Sequence, residues 1–225
     1  MMNKALLAPS VMCVSAWDGM KDLEALKNSG VELLHADVMD GEFVPNLMLG
    51  TEAIKQLRKR SPIPLDIHLM IERPEDKLAW FDPQPGEYVS VHVESTKHLQ
   101  RALSRIRDCG AKPMAALNPA TPLCMIEDVL PDVEAVLLMT VNPGFAGQKL
   151  VPQTLDKIRR LRKWLDEKGY GHIEIEVDGN VNYPNARLMS EAGANIFVAG
   201  TSSLYAKVTD LDEEIVKFRD TINLK

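Results

Sequence analysis

Residues that could carry chemistry fall into two groups in this chain. The first is a set of histidines and aspartates. His35, Asp37 and Met39 stand at intervals of two in one apolar run, and Asp66, His68 and Met70 do so in another. On a β-strand that spacing puts each set on one face. Asp178 closes a third apolar run much further along and offers a carboxylate from elsewhere in the fold. Two imidazoles with two carboxylates suit a divalent cation with nitrogen and oxygen ligands. Spacing alone also allows each residue to be a satisfied polar group of the core, since no local motif such as H-E-x-x-H is present.

The second group is glycine-rich. Asn142-Pro143-Gly144-Phe145-Ala146-Gly147-Gln148, Asp178-Gly179-Asn180 and Ala199-Gly200-Thr201-Ser202 follow three successive apolar runs. Backbone amides in such loops, and at the helix starts behind them, can hold a phosphate. A tight turn explains any one of them; three neighbouring loops favour phosphate. No Lys-Ser or Lys-Thr follows Gly147, so this is not a nucleotide P-loop.

These residues need a scaffold, and the alternation of short apolar runs with longer amphipathic ones predicts one. Strands are expected at 6–12, 32–39, 65–70, 88–93, 113–117, 135–141, 173–177 and 196–199. Helices are expected at about 18–29, 51–60, 74–81, 97–109, 122–130, 152–168, 185–192 and 210–222. Most of the runs are rich in apolar residues rather than strictly alternating, as in parallel strands covered on both faces. Thr121-Pro122 and Val151-Pro152 read as helix starts, and Gly30, Gly110 and Gly193 as helix ends. Eight βα units predict an α/β fold, a single (β/α)8 barrel over residues 1–225, with a doubly wound sheet as the runner-up. The polar strand residues Ser10, His35, Asp37, Asp66, His68, His92, Glu94, Asn118, Asn142 and Asp178 gather toward the carboxyl ends of these runs. That is the end where such barrels place their chemistry.

Composition narrows the function classes. The chain has 225 residues, 45% hydrophobic and 26% charged, with a net charge of −6. That balance argues against a nucleic-acid partner, which needs a basic stripe. The basic runs at 58–60 and 159–163 read as solvated helix faces. No apolar run approaches the roughly 20 residues of a membrane span, and the first 12 residues do not read as a signal peptide. Cys13, Cys109 and Cys124 form no C-x-x-C pair, which fits a reducing compartment and a cytoplasmic protein.

Taken together, the motifs resemble one family. His35-Ala36-Asp37-Val38-Met39-Asp40-Gly41-Glu42-Phe43-Val44-Pro45-Asn46, Asp66-Ile67-His68-Leu69-Met70, Met139-Thr140-Val141-Asn142-Pro143-Gly144-Phe145-Ala146-Gly147-Gln148 and Glu176-Val177-Asp178-Gly179 are similar, in order, to the signatures of ribulose-phosphate 3-epimerases. The resemblance implies an isomerase that inverts the carbon next to a ketose-phosphate carbonyl, through an enediolate stabilised by a metal. It implies that His35, Asp37, His68 and Asp178 bind one divalent ion (zinc, iron, manganese or cobalt), with Asp37 and Asp178 as the acid/base pair. Ser10 and His68 would touch the substrate, and Met39, Met70 and Met139 would cap the reacting carbons. Phosphate would lie against Gly144, Phe145, Ala146 and Gly147, against Gly179 and Asn180, and against Gly200 and Thr201. Family members are commonly homo-oligomers.

The departures sit at the phosphate end. Gly179-Asn180 replaces two glycines, Gly-Phe-Ala-Gly replaces Gly-Phe-Gly-Gly, and Gly200-Thr201 replaces Gly-Ser. Relatives acting on allulose 6-phosphate carry similar changes, so ribulose 5-phosphate is the first expectation and allulose 6-phosphate the second. Sugar-phosphate decarboxylases on the same barrel want a lysine where Val38 and Met39 separate Asp37 from Asp40. A non-catalytic sugar-phosphate sensor has no need of both Asp37 and Asp178. Asp66 could orient a ligand histidine, and His92 with Glu94 reads equally as support for the site or as core polarity. His98 and His172 read as surface residues, and Trp17, Trp80 and Trp164 as packing.

Overall fold

Period-two burial organises the molecule. In the computed structural model, which describes residues 5–13, 19–206 and 210–223, Leu34, Ala36 and Val38 pack with Leu23, Leu26 and Ile54 from flanking helices. The alternate residues His35, Asp37 and Met39 face away from that layer. Both faces of the strand are buried, so His35 and Asp37 lie inside the protein rather than toward solvent.

The strands are β1 (Leu6–Pro9), β2 (Leu34–Asp40), β3 (Leu47–Met48), β4 (Leu65–Met70), β5 (Tyr88–His92), β6 (Lys112–Leu117), β7 (Ala135–Met139), β8 (Glu174–Asp178) and β9 (Ile196–Ala199). Between them lie α1 (Gly19–Asn28), α2 (Thr51–Arg60), α3 (Pro74–Lys77), α4 (Leu99–Asp108), α5 (Gln153–Glu167), α6 (Tyr183–Glu191) and α7 (Leu211–Ile222). Among the described residues, one curled sheet carries nine strands in the order β1-β9-β8-β7-β6-β5-β4-β2-β3. Every pairing is parallel except β2 with the short β3. β1 also meets β2, through a bridge between Ser10 and His35 and a 3.3 Å hydrogen bond from the Leu33 amide to the Leu7 carbonyl.

Each of the eight expected strands has a counterpart, with shifted ends. β1 stops at Pro9 and a 3-10 turn, Val11–Cys13, follows. β3 was not legible: two residues paired with Met39 and Asp40 leave no periodicity. The helix expected at 122–130 is instead 3-10 over Leu123–Asp132, and Pro131, which lacks an N–H, lies in its last turn. Thr121 does not cap that segment; its hydroxyl bonds Glu94. Gly30, Gly110 and Gly193 do take positive φ at helix ends. Trp80 is 63% exposed, so packing is not its role; Trp164 packs against the core, and Trp17 lies outside the described residues.

Candidate active site

β2, β4 and β8 bring the histidines and aspartates together. The register sets His35 beside Asp66 and Asp37 beside His68. Asp37 Oδ1 lies 3.2 Å from both His35 Nε2 and His68 Nδ1. Asp178 Oδ2 arrives from β8, 3.9 Å from His35 Nε2 and 3.7 Å from His68 Nδ1. One ligand atom from each of the four residues lies within 4.8 Å of the others. The contacts with Asp178 are too long for hydrogen bonds, whereas Asp37 Oδ1 is within hydrogen-bond distance of both rings, so two nitrogens and two oxygens gather in one small volume. That donor set fits a divalent cation.

Electrostatics separate the two carboxyls. Burial would raise Asp37, but the neighbouring His35 and His68 outweigh it and hold the carboxyl well below the usual range. Burial, reinforced by the Asp37 charge, pushes Asp178 up to about 6. Asp37 Oδ2 also accepts a hydrogen bond from the Ser10 hydroxyl at 3.1 Å. Burial disfavours a charged His35 ring, yet Asp66 and Asp37 raise it well above the ordinary imidazole value. A cation with ligands here would therefore displace a proton.

A second layer lies beneath. His35 Nδ1 sits 2.5 Å from Asp66 Oδ2, and Glu176 Oε1 is 3.3 Å away without hydrogen-bond geometry. Burial, then the Asp66 charge, push Glu176 well above the carboxylate range. Glu176 was not singled out in the sequence, although it precedes Asp178 by two residues just as Asp66 precedes His68. That repeated offset was the available signal.

At the donor set a pocket opens, lined in part by Ser10, Asp37, Met39, Met70, Met139 and Asp178. Met39 and Met70 pack together with Val44, whereas Met139 joins Ala116 and Leu137. His35 and His68 are fully buried and lie below the wall rather than on it. Gly144, Phe145, Ala146, Gly147, Gly179, Asn180, Gly200 and Thr201 line the same pocket, so all three glycine loops meet there. Asn180 has φ +51, a left-handed conformation that asparagine tolerates better than most residues, which explains why it can stand in a glycine's place. Its side chain donates to the Gln148 carbonyl at 2.8 Å and ties two loops together. Cys13 and Val141, neither of them expected, also line the pocket.

Asp40 gained a role that its type did not announce. Its carboxylate accepts from the amides of Glu42 and Phe43 and from the Glu72 amide and Lys77 Nζ, pinning the loop after β2 to the loop after β4. Asn46 then donates to the Gly144 carbonyl at 2.8 Å, linking that loop to the glycine-rich wall. His98 and His172 are exposed, as expected.

A curled parallel sheet with a cation-fitting donor set and a glycine-lined pocket at its carboxyl edge defines an α/β enzyme scaffold. The family model described as ribulose-phosphate 3 epimerase family matches residues 6–205, and the chain belongs to that family. Ribulose-phosphate 3-epimerase of Bacillus subtilis is 42% identical over 87% of this chain and 90% of its own. Chloroplastic ribulose-5-phosphate-3-epimerase of Arabidopsis thaliana is 43% identical over 90% of this chain and 72% of its own. Among solved structures, 3-hexulose-6-phosphate synthase from Salmonella typhimurium superposes with a TM-score of 0.69 at 14% identity, covering 97% of this chain and 98% of that one. KGPDC from Streptococcus mutans does so with 0.67 at 14%, covering 98% of each. These structural likenesses, at such low identity, concern the fold alone.

Proposed function

We propose that the chain is a metal-dependent ketose-phosphate 3-epimerase that interconverts D-ribulose 5-phosphate and D-xylulose 5-phosphate. The observation that carries this reading is the pair Asp37 and Asp178, reached from different strands and lining one pocket with a carboxylate oxygen each beside His35 and His68. Epimerisation needs one group to take the proton from a carbon and another to return one to the opposite face. Two carboxyls in opposite protonation states can do this, and exchange roles in the reverse direction.

The substrate would enter with its reacting carbons against Met39, Met70 and Met139. Their sulfurs and methylenes exclude water and offer no competing proton. Ser10 would hold Asp37 in place through its hydrogen bond to Oδ2. Backbone amides of the loops at Gly144–Gly147, Gly179–Asn180 and Gly200–Thr201 would bind the phosphate. His35, Asp37, His68 and Asp178 would hold one divalent ion, of zinc, iron, manganese or cobalt. When bound, such an ion supplies Lewis acidity that stabilises the negative charge developing on the substrate oxygens. The curated relatives are named for ribulose phosphate, which sets allulose 6-phosphate aside as the favoured substrate.

The same reading has the sheet closed into a single (β/α)8 barrel forming one domain over residues 1–225. Strand register supports closure. One way round, Leu6 is level with Ile196, Glu176, Leu137, Ala116 and then His92. The other way, Ser10 is level with His35, Asp66 and then Tyr88. The paths differ by the four residues from Leu6 to Ser10 and the four from Tyr88 to His92. A stagger of about eight is the shear of this barrel. A cytoplasmic homo-oligomer completes the proposal, in keeping with the acidic net charge and the free cysteines. Among the described residues no helix is long and apolar enough to cross a membrane.

Purified protein with its metal content measured, assayed on both sugar phosphates, tests the substrate. Activity on ribulose 5-phosphate is expected to exceed that on allulose 6-phosphate by about tenfold or more in kcat/KM, a margin of about 1.4 kcal/mol in transition-state binding. Equal or reversed preference, or no exchange of the third-carbon proton with solvent deuterium, refutes it.

A further inference from the structure

Behind His68 a line of side chains runs away from the pocket. His68 Nε2 lies 2.8 Å from His92 Nε2, and His92 Nδ1 lies 3.2 Å from Glu94 Oε2. The ring centroids are 5.0 Å apart at 26°, as expected for rings meeting edge to edge through their nitrogens rather than face to face. Glu94 Oε1 accepts hydrogen bonds from the Asn118 amide at 2.9 Å and from the Thr121 hydroxyl. Lys157 Nζ in turn donates to the Asn118 carbonyl at 2.7 Å. His68 and His92 are fully buried, and Phe43 covers His92 at 4.7 Å between ring centroids.

We propose that His92 and Glu94 are positioning residues that fix the tautomer of His68 and so make its Nδ1 a metal ligand. The inference rests on the metal site proposed above. An imidazole nitrogen cannot bind a cation and carry a proton at once. With Nδ1 facing the other three ligands, His68 must hold its proton on Nε2. That proton points at His92 Nε2, which must therefore be a bare acceptor, so His92 carries its own proton on Nδ1. Only an acceptor at Glu94 Oε2 permits this. Each hydrogen bond has a direction, and the ionised carboxylate sets it for the whole line. His35 is held in the complementary way, with Nδ1 on Asp66 and Nε2 toward the site. The two ligand histidines therefore present different nitrogens, each dictated by a carboxylate on the far side.

Glu94→Gln is the discriminating change because it is nearly isosteric. The Asn118 amide can only donate, so the glutamine carbonyl must take the Oε1 position. The NH2 then faces His92 Nδ1, where a donor is already required. Either that bond is lost or the line reverses, which puts the His68 proton on Nδ1, where the cation must sit. In the full chain, zinc affinity measured by chelator competition is expected to fall by about 10–100-fold, with the melting midpoint of the metal-free protein unchanged. A zinc affinity within about twofold of wild type would overturn the proposal, since the full loss expected is at least about tenfold. Long-range proton–nitrogen NMR of zinc-loaded wild type tests it independently of how the variant folds. His92 should carry its proton on Nδ1 and His68 on Nε2; the opposite tautomer at His92 overturns the proposal. Wild type that binds no zinc would instead bring down the metal-site reading, and this inference with it.

Discussion

Gly179→Ala should damage this protein far more than the size of a methyl group suggests. Gly179 has φ +113, where an L side chain is strained, and an added Cβ would stand 2.5 Å from Val141 Cγ2 and 2.8 Å from the Val141 backbone nitrogen. The valine side chain can rotate, but the nitrogen moves only with its strand end. Thr140, next in line, is tied to the Asp178 carbonyl by its amide at 2.7 Å and to the Gly179 carbonyl by its hydroxyl. The methyl therefore forces the ends of β7 and β8 apart. Backbone strain contributes about 1–3 kcal/mol, and overpacking a further 1–3 kcal/mol or so. Gly147→Ala is the matched control: it has φ +81 but nothing within 4 Å of the new Cβ, so only the conformational cost of about 1–2 kcal/mol applies. Urea unfolding of both variants beside wild type, with m-values compared, reads the difference. Gly179→Ala should also lower kcat/KM by about 10²-fold, because the disturbed peptide carries Asp178. If the two variants unfold at the same urea concentration, the argument from close backbone approach is wrong.

Asp178→Asn should leave the chain folded and reduce epimerisation by roughly 10³-fold or more, with loss of third-carbon deuterium exchange; retention of a tenth of the activity would remove Asp178 from the acid/base pair. Chelation should abolish turnover. Above Kd, each tenfold rise in free zinc should stabilise the fold by about 1.4 kcal/mol, seen as a rising thermal midpoint; a midpoint insensitive to zinc would count against the site. At Asp40 burial opposes ionisation, but Lys77 and the amides of Phe43, Glu42 and Glu72 outweigh it and hold the carboxyl at about 2. Since this folded value is below the unfolded one, its stabilisation is complete above about pH 4 and fades as pH falls toward 2. Asp40→Asn should therefore cost about 1–2 kcal/mol at pH 7, allowing for partial solvent screening, and flatten the acid limb of the stability curve. An unchanged acid limb would refute this.

Much of this protein is legible along the chain. Apolar runs of strand length alternating with amphipathic helices specified βα units, because strands buried on both faces admit few polar residues. The exceptions, such as Asp37 and His68, were conspicuous for that reason. Spacing of two placed His35 with Asp37 and His68 with Met70, since side-chain direction along a strand is a local property. Register and closure are not local. That Asp178 of β8 comes close to Asp37 of β2 follows from the packed fold, because contact across a sheet depends on how its strands are staggered. The packing also sets which nitrogen each histidine offers. His35 turns Nε2 to the site because Asp66 lies behind it, and His68 turns Nδ1 because His92 does. Those partners come from other strands, and no spacing along one chain segment encodes them. Likewise nothing about Gly179 as a letter foretold the Val141 nitrogen pressed against it.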